Sequence, residues 1–191
     1  MAKNQLTGII LSGGKSSRMG LEKGLVDFRG KPLITYAIEA LKPVTDTLII
    51  SANNRLDEYG QYGYEIFQDE IKEVGPIGGL YTVLKNSKTE KNLVLSCDMP
   101  FVNTELLEYL FRNMQQNDIV VAVHDEDSLE PLCGCYSRNV INLLERQIAA
   151  GNYKLRDLFG KVKFKALKID TSLPFYKDNL FYNVNRPEDL K

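Results

Sequence analysis

The chain has one histidine, three cysteines and no tryptophan. His124 alone leaves little room for imidazole catalysis, and it cannot complete a tetrahedral metal set without help from carboxylates. The odd cysteine count does not build a disulfide framework. Cys97 ends an apolar run and Cys133 and Cys135 flank Gly134, so buried, reduced thiols are expected. Excess charge is also missing: 24 Lys and Arg against 25 Asp and Glu give a net charge of −1. No global basic field is there to hold nucleic acid or an anionic membrane, and any anion site must be local. No apolar run approaches the ~20 residues of a membrane span, and Met1 to Gln5 form no apolar signal region, which points to the cytoplasm. Internal repeats, low-complexity tracts and linkers are absent, so the 191 residues are expected as one domain, 1–191.

What is there is a glycine-rich stretch. Leu6 to Leu11 is short, apolar and β-branched, a buried strand that empties into Ser12-Gly13-Gly14-Lys15-Ser16-Ser17-Arg18-Met19-Gly20, with Lys23 just beyond. Such a strand-to-loop junction is where α/β sheets bind nucleotides. The glycines let backbone N–H groups approach a phosphate, and Lys15, Arg18 and Lys23 put three cations within nine residues. Two familiar motifs fail here. A P-loop would need glycine five residues before Gly14, where Ile9 stands, and the spacing of Gly13, Gly14 and Gly20 misses the dinucleotide fingerprint.

Strand and helix patterns alternate along the rest of the chain. Pro32 suits the opening of a helix carrying Leu33, Ile34, Ala37, Ile38 and Leu41. Thr47 to Ala52, Glu65 to Phe67, Leu93 to Cys97, Ile119 to Val123, Pro131 to Tyr136 and Phe164 to Ile169 read as strands, the last with a basic exposed face. Gly75-Pro76-Ile77-Gly78-Gly79 opens a second helix and reads equally well as a tight connection or as a ligand contact. Asn103 or Thr104 can cap a third helix, Val140 to Ile148 and Tyr153 to Phe159 read as further helices, and Asn185 with Glu188 suits a capped terminal helix. His124 to Asp127 reads as an exposed acidic turn. This alternation predicts an α/β fold of three layers, an α/β/α sandwich around a mainly parallel sheet. Asp98, at the end of a strand on the loop's edge of the sheet, is the natural carboxylate for Mg²⁺, which takes oxygen ligands and usually only one or two carboxylates. Asn185 is a candidate mate.

The stretch Leu11 to Lys23 resembles the signature of the molybdenum cofactor guanylyltransferases, the MobA family of nucleotidyltransferases. Four further stretches come in that family's order: Arg29-Gly30-Lys31-Pro32-Leu33, Gly75 to Gly79, Cys97-Asp98-Met99-Pro100-Phe101, and Asn183-Val184-Asn185-Arg186-Pro187-Glu188. The resemblance covers nearly the whole chain. It implies a Rossmann-like, nucleotide-diphospho-sugar transferase-like fold with a mixed, mainly parallel sheet. It also implies transfer of GMP from GTP to the terminal phosphate of molybdenum-loaded molybdopterin, with pyrophosphate released, Mg²⁺ as the metal, and room for transient contacts with other cofactor-biosynthesis proteins. Matched residue by residue, Leu11, Ser12, Gly13 and Lys23 look like GTP contacts, with Gly14 and Lys15 beside them. Asp69 looks like a further GTP contact, and Asp98 like the shared metal and GTP contact. Arg18 and Lys23 would offset charge on the leaving pyrophosphate. Asp69 could accept from guanine's N–H edge. An acceptor phosphate is already an anion, so a general base is dispensable, which agrees with a single histidine. The family's pattern is departed from at Ser51, where some relatives have Asn, and at Arg186, where Thr is common. The alternatives are a relative using CTP or a sugar-phosphate acceptor, and a nucleotide-sensing module without turnover.

Overall fold

Strand β1, Leu6–Leu11, is buried along its whole length. Its side chains alternate between two cores, Ile10 facing one and Ile9 the other, as expected of a parallel strand covered on both faces. The computed structural model describes residues 6–12, 22–125 and 128–190. On either side of β1 lie β4 (Thr47–Ser51) and β6 (Lys91–Ser96), both parallel to it. The sheet is completed by β5 (Glu65–Phe67), β7 (Ile119–His124), β8 (Ser128–Ser137) and β9 (Phe164–Lys168), in the order β5-β4-β1-β6-β8-β7-β9. Only β8 runs antiparallel, paired with both β6 and β7. A small hairpin, β2 (Asp27–Phe28) with β3 (Lys31–Pro32), sits beside the sheet.

Helices cover both faces. Helix α1 (Leu33–Leu41) and α4 (Thr104–Arg112) bury Ile34, Ala37, Leu41, Leu106, Leu107 and Leu110 in the core that holds Ile10. Helix α3 (Pro76–Asn86) and α5 (Ile141–Ala149) bury Ile77, Leu80, Leu84, Leu144 and Ile148 in the core that holds Ile9. The start signals are local. Pro32 supplies its fixed φ just before α1, and Asn103 Oδ1 accepts from Leu106 N at 2.9 Å to cap α4. Short helices α2 (Leu56–Gly60) and α6 (Arg156–Phe159) lie in connections. The observed architecture is the three-layer α/β fold with a mixed, mainly parallel sheet that the sequence predicts. Among the described residues no helix is long and apolar enough to cross a membrane.

Three local expectations are corrected. The terminal helix is a single 3-10 turn, Pro187–Leu190, and its cap is reversed. Asp189 reaches back to accept from Asn185 N and Arg186 N, both at 2.8 Å, and the two N–H donors, Asn185's first, hold its carboxyl below the usual carboxylate range. The lysines of β9 do not form one exposed face. Lys165 shares the side of buried Leu167 and donates to Asn113 Oδ1, while Lys168 pairs with Asp170. His124 is not a solvated loop residue: it stacks on Phe181 with ring centroids 4.4 Å apart, and its ring nitrogens contact Asp125 and Glu130. The three cysteines are free and buried as expected, with burial pushing the Cys97 and Cys135 thiols up to about 12.

Candidate active site

Six of the seven strands run in one direction, so their C-terminal ends share one edge of the sheet. The chain passes from β1 outward to β4 and β5 and then crosses back to β6, which places the reversal of strand order between β1 and β6. A crevice at such a reversal is where open α/β sheets bind ligands. Ser12 follows β1 and Asp98 follows β6 by two residues, on either side of that crevice, with Leu11 O accepting from Cys97 N at 3.1 Å beneath them.

Lys23 and Asp98 meet there. The Lys23 ammonium donates to Asp98 Oδ2 at 2.7 Å and to Asn185 Oδ1 at 2.8 Å. The pair is partly buried, with 20% and 17% of the two side chains exposed, so its charges are screened less than those of a surface pair. An ammonium has three donors, and the third has no partner among the described residues. The other oxygen, Asp98 Oδ1, is buried and accepts no hydrogen bond from the described residues. A buried carboxylate oxygen without a donor is costly, and a bound cation would resolve the cost. Asn185 arrives because Val184 N donates to Asp98 O at 2.9 Å, laying the C-terminal segment across the crevice. Among the described residues no three His, Cys, Asp or Glu side chains converge as a metal cage. One carboxylate beside an amide oxygen suits Mg²⁺, which keeps waters and substrate phosphates as its other ligands, and does not suit zinc.

Asp69 stands on the other flank of the same edge. It follows β5, and Ser51 at the end of β4 donates through Oγ to Asp69 Oδ1 at 3.1 Å. Asn53 grips the same residue twice, donating through Nδ2 to Oδ2 and accepting from Asp69 N, both at 2.9 Å. The first turn of α3 packs against this group. A Cβ on Gly79 would sit 2.8 Å from Ser51 Oγ and 3.2 Å from Asp69 Oδ1, whereas one on Gly78 would strike Ile71 O at 2.6 Å. Gly78 therefore serves a tight connection, and Gly79 leaves Asp69 its room. Asp69 and Asp98 thus belong to separate groups, with the ends of β4 and β1 between them.

Leu11 is a buried strand end. Ser12 is buried as well: its N–H donates to Ser51 O at 2.9 Å, and its hydroxyl shares a hydrogen bond with the Tyr59 hydroxyl at 2.6 Å. Gly13, Gly14, Lys15 and Arg18 lie outside the described residues.

Sequence reasoning did not single out Glu22, Gly24, Asn53 or Tyr59. Asn53 could have been found, as a polar residue one step past a strand end on the functional edge. Tyr59 lies in Leu56-Asp57-Glu58-Tyr59-Gly60, too short to show a helical stripe, yet it is fully buried. Burial pushes its hydroxyl above the usual tyrosine range, so it stays protonated. Gly24 is required by contact: a Cβ there would lie 1.9 Å from Ser12 Oγ and 2.6 Å from Tyr59 Oη. Gly24→Ala is therefore expected to cost about 1–3 kcal/mol through overpacking. Thermal or urea unfolding checks this, and an unchanged midpoint would show that the neighbours yield freely.

A mainly parallel sheet carrying a lysine–aspartate pair at its β1/β6 crevice, in a chain whose sequence between β1 and Lys23 is glycine-rich, defines a nucleotide-handling α/β protein. Residues 8–166 match the MobA-like NTP transferase domain. A probable molybdenum cofactor guanylyltransferase of Flavobacterium johnsoniae is 40% identical over 186 residues, covering 97% of this chain and 94% of that protein. The molybdenum cofactor guanylyltransferase of Vibrio parahaemolyticus is 33% identical, over 97% and 93% of the two chains. The crystal structure of molybdopterin-guanine dinucleotide biosynthesis protein A from Archaeoglobus fulgidus superposes with a TM-score of 0.82 at 28% identity, covering 96% of this chain and 94% of that one. The chain belongs to the MobA-like NTP transferase family, and it is a nucleotidyltransferase.

Proposed function

We propose that this chain transfers GMP from GTP to the terminal phosphate of molybdenum-loaded molybdopterin, in the cytoplasm, forming the guanine dinucleotide cofactor and pyrophosphate. The observation that carries this reading is the Lys23–Asp98 pair with its undonated Oδ1 at the β1/β6 crevice. Support comes also from the relatives, which are named for guanylyl transfer in molybdenum cofactor synthesis.

In this reading the reaction is one displacement: an acceptor phosphate oxygen bonds to the α-phosphorus of GTP as the bond to the β-phosphate oxygen breaks. Most of the barrier is then alignment and charge neutralisation. Lys23 spends two donors on Asp98 and Asn185, which fix its ammonium, and keeps the third for a phosphate oxygen. Arg18 and Lys15 would add charge along the pyrophosphate. Asp98, through Oδ1, and Asn185 are the residues that would hold Mg²⁺, which when bound offsets the negative charge of the phosphates. Asp69, fixed by Ser51 and Asn53, would accept from guanine's N–H edge.

Pyrophosphate release with GTP, Mg²⁺ and molybdenum-loaded molybdopterin tests the proposal. Release that requires the acceptor is expected. Nucleotide binding with no release on any acceptor would instead make the protein a sensor.

A further inference from the structure

Tyr59 is a fully buried tyrosine that the proposed reaction leaves unused, and it touches Ser12 and Glu22, the described residues that bracket positions 13–21. Its hydroxyl lies 2.6 Å from Ser12 Oγ, immediately before residue 13, and donates to Glu22 Oε1 at 3.3 Å, immediately after residue 21. Asn54 Nδ2 donates to the other Glu22 oxygen at 3.3 Å. Gly24 closes against the same pair of hydroxyls, with no space for a Cβ. One tyrosine on α2 therefore bridges the two chain ends that bracket residues 13–21.

Either hydroxyl can donate in the 2.6 Å bond, and a carboxylate can only accept, so Glu22 takes its proton from Tyr59. The Ser12 N–H is already held by Ser51 O, and its hydroxyl is turned to Tyr59, so the Ser12 side chain acts as an anchor.

We infer that Tyr59 is a positioning residue which, through Ser12 and Glu22, fixes the span between the two ends of the phosphate-binding segment and so prepares it for the triphosphate. The inference rests on the reading that residues 13–21 bind the phosphates of GTP. A segment whose ends are already set gives up less freedom on binding, so the clasp acts on affinity. The transferred phosphorus is not its concern.

The test is a double-mutant cycle on Tyr59→Phe and Ser12→Ala, with GTP–Mg²⁺ titrated by calorimetry and kcat and KM measured in parallel. Phenylalanine keeps the buried ring, and Ser12→Ala opens the same bridge from the other side should Tyr59→Phe fail to fold. Each single variant is expected to weaken GTP about fivefold, the scale of one lost hydrogen bond, and Tyr59→Phe to keep kcat within about twofold of wild type. The double variant should be no weaker than the worse single one, because both remove the same bridge. Unchanged affinity in Tyr59→Phe, effects that multiply in the double variant, or a loss confined to kcat would each overturn the clasp. Wild-type protein that binds no nucleotide would overturn the phosphate-segment reading first, and the clasp with it.

Discussion

Asp98→Ala is expected to lower turnover by ~10²-fold or more, the scale of a lost group that stabilises charge in a transition state. The substitution acts at three places. It removes the undonated Oδ1, the oxygen available to a cation. It removes the partner that fixes the Lys23 ammonium, leaving only Asn185. It spares the main-chain link from Val184 N to Asp98 O, so the C-terminal segment keeps its path. The fold should therefore survive, and the loss should show in steady-state pyrophosphate release with little change in the unfolding midpoint. Lys23→Ala is expected to lose a similar factor, and the double variant far less than the product, since the two side chains work as one unit. Near-normal rates in either single variant would undo the assignment.

The second large effect concerns choice of base. Asp69→Asn replaces a group that only accepts with one that also donates. In the wild type its two oxygens accept from Ser51 Oγ and Asn53 Nδ2, and an amide nitrogen in either place would face a donor. A carboxylate can also take guanine's ring N–H and amino group together, a pairing adenine cannot offer. Paired contacts of this kind are worth roughly 1–3 kcal/mol of discrimination between bases. The preference for GTP over ATP is therefore expected to fall by roughly ten- to a hundredfold. Competition between the two nucleotides in the transfer assay measures it, and an unchanged ratio would move base recognition away from Asp69.

The fold was readable in the sequence because its buried parallel strands announce themselves. Leu6–Leu11 and Thr47–Ser51 are short apolar runs with strand chemistry, and Pro32 and Asn103 mark helix starts through local backbone effects. Less legible was whatever depends on partners distant in sequence. The pairing of Lys23 with Asn185 spans 162 residues, and it turns the asparagine away from the cap that its spacing from Glu188 suggests. Tyr59 carries no periodic signal, and only the fold reveals that it lies between Ser12 and Glu22. Ser51 is a departure from the family's pattern that the structure explains in part: its hydroxyl holds Asp69, and Asn53 two residues on supplies an amide at the same carboxylate.

The central claim is that the β1/β6 crevice grips a guanine nucleotide's phosphates with Mg²⁺ at Asp98. Its most direct test is calorimetry of GTP, CTP, ATP and UTP against the wild-type protein, with and without Mg²⁺. GTP should bind most tightly, and its margin should depend on the metal. Equal affinity for all four nucleotides, a preference for CTP, or GTP binding indifferent to Mg²⁺ would contradict it.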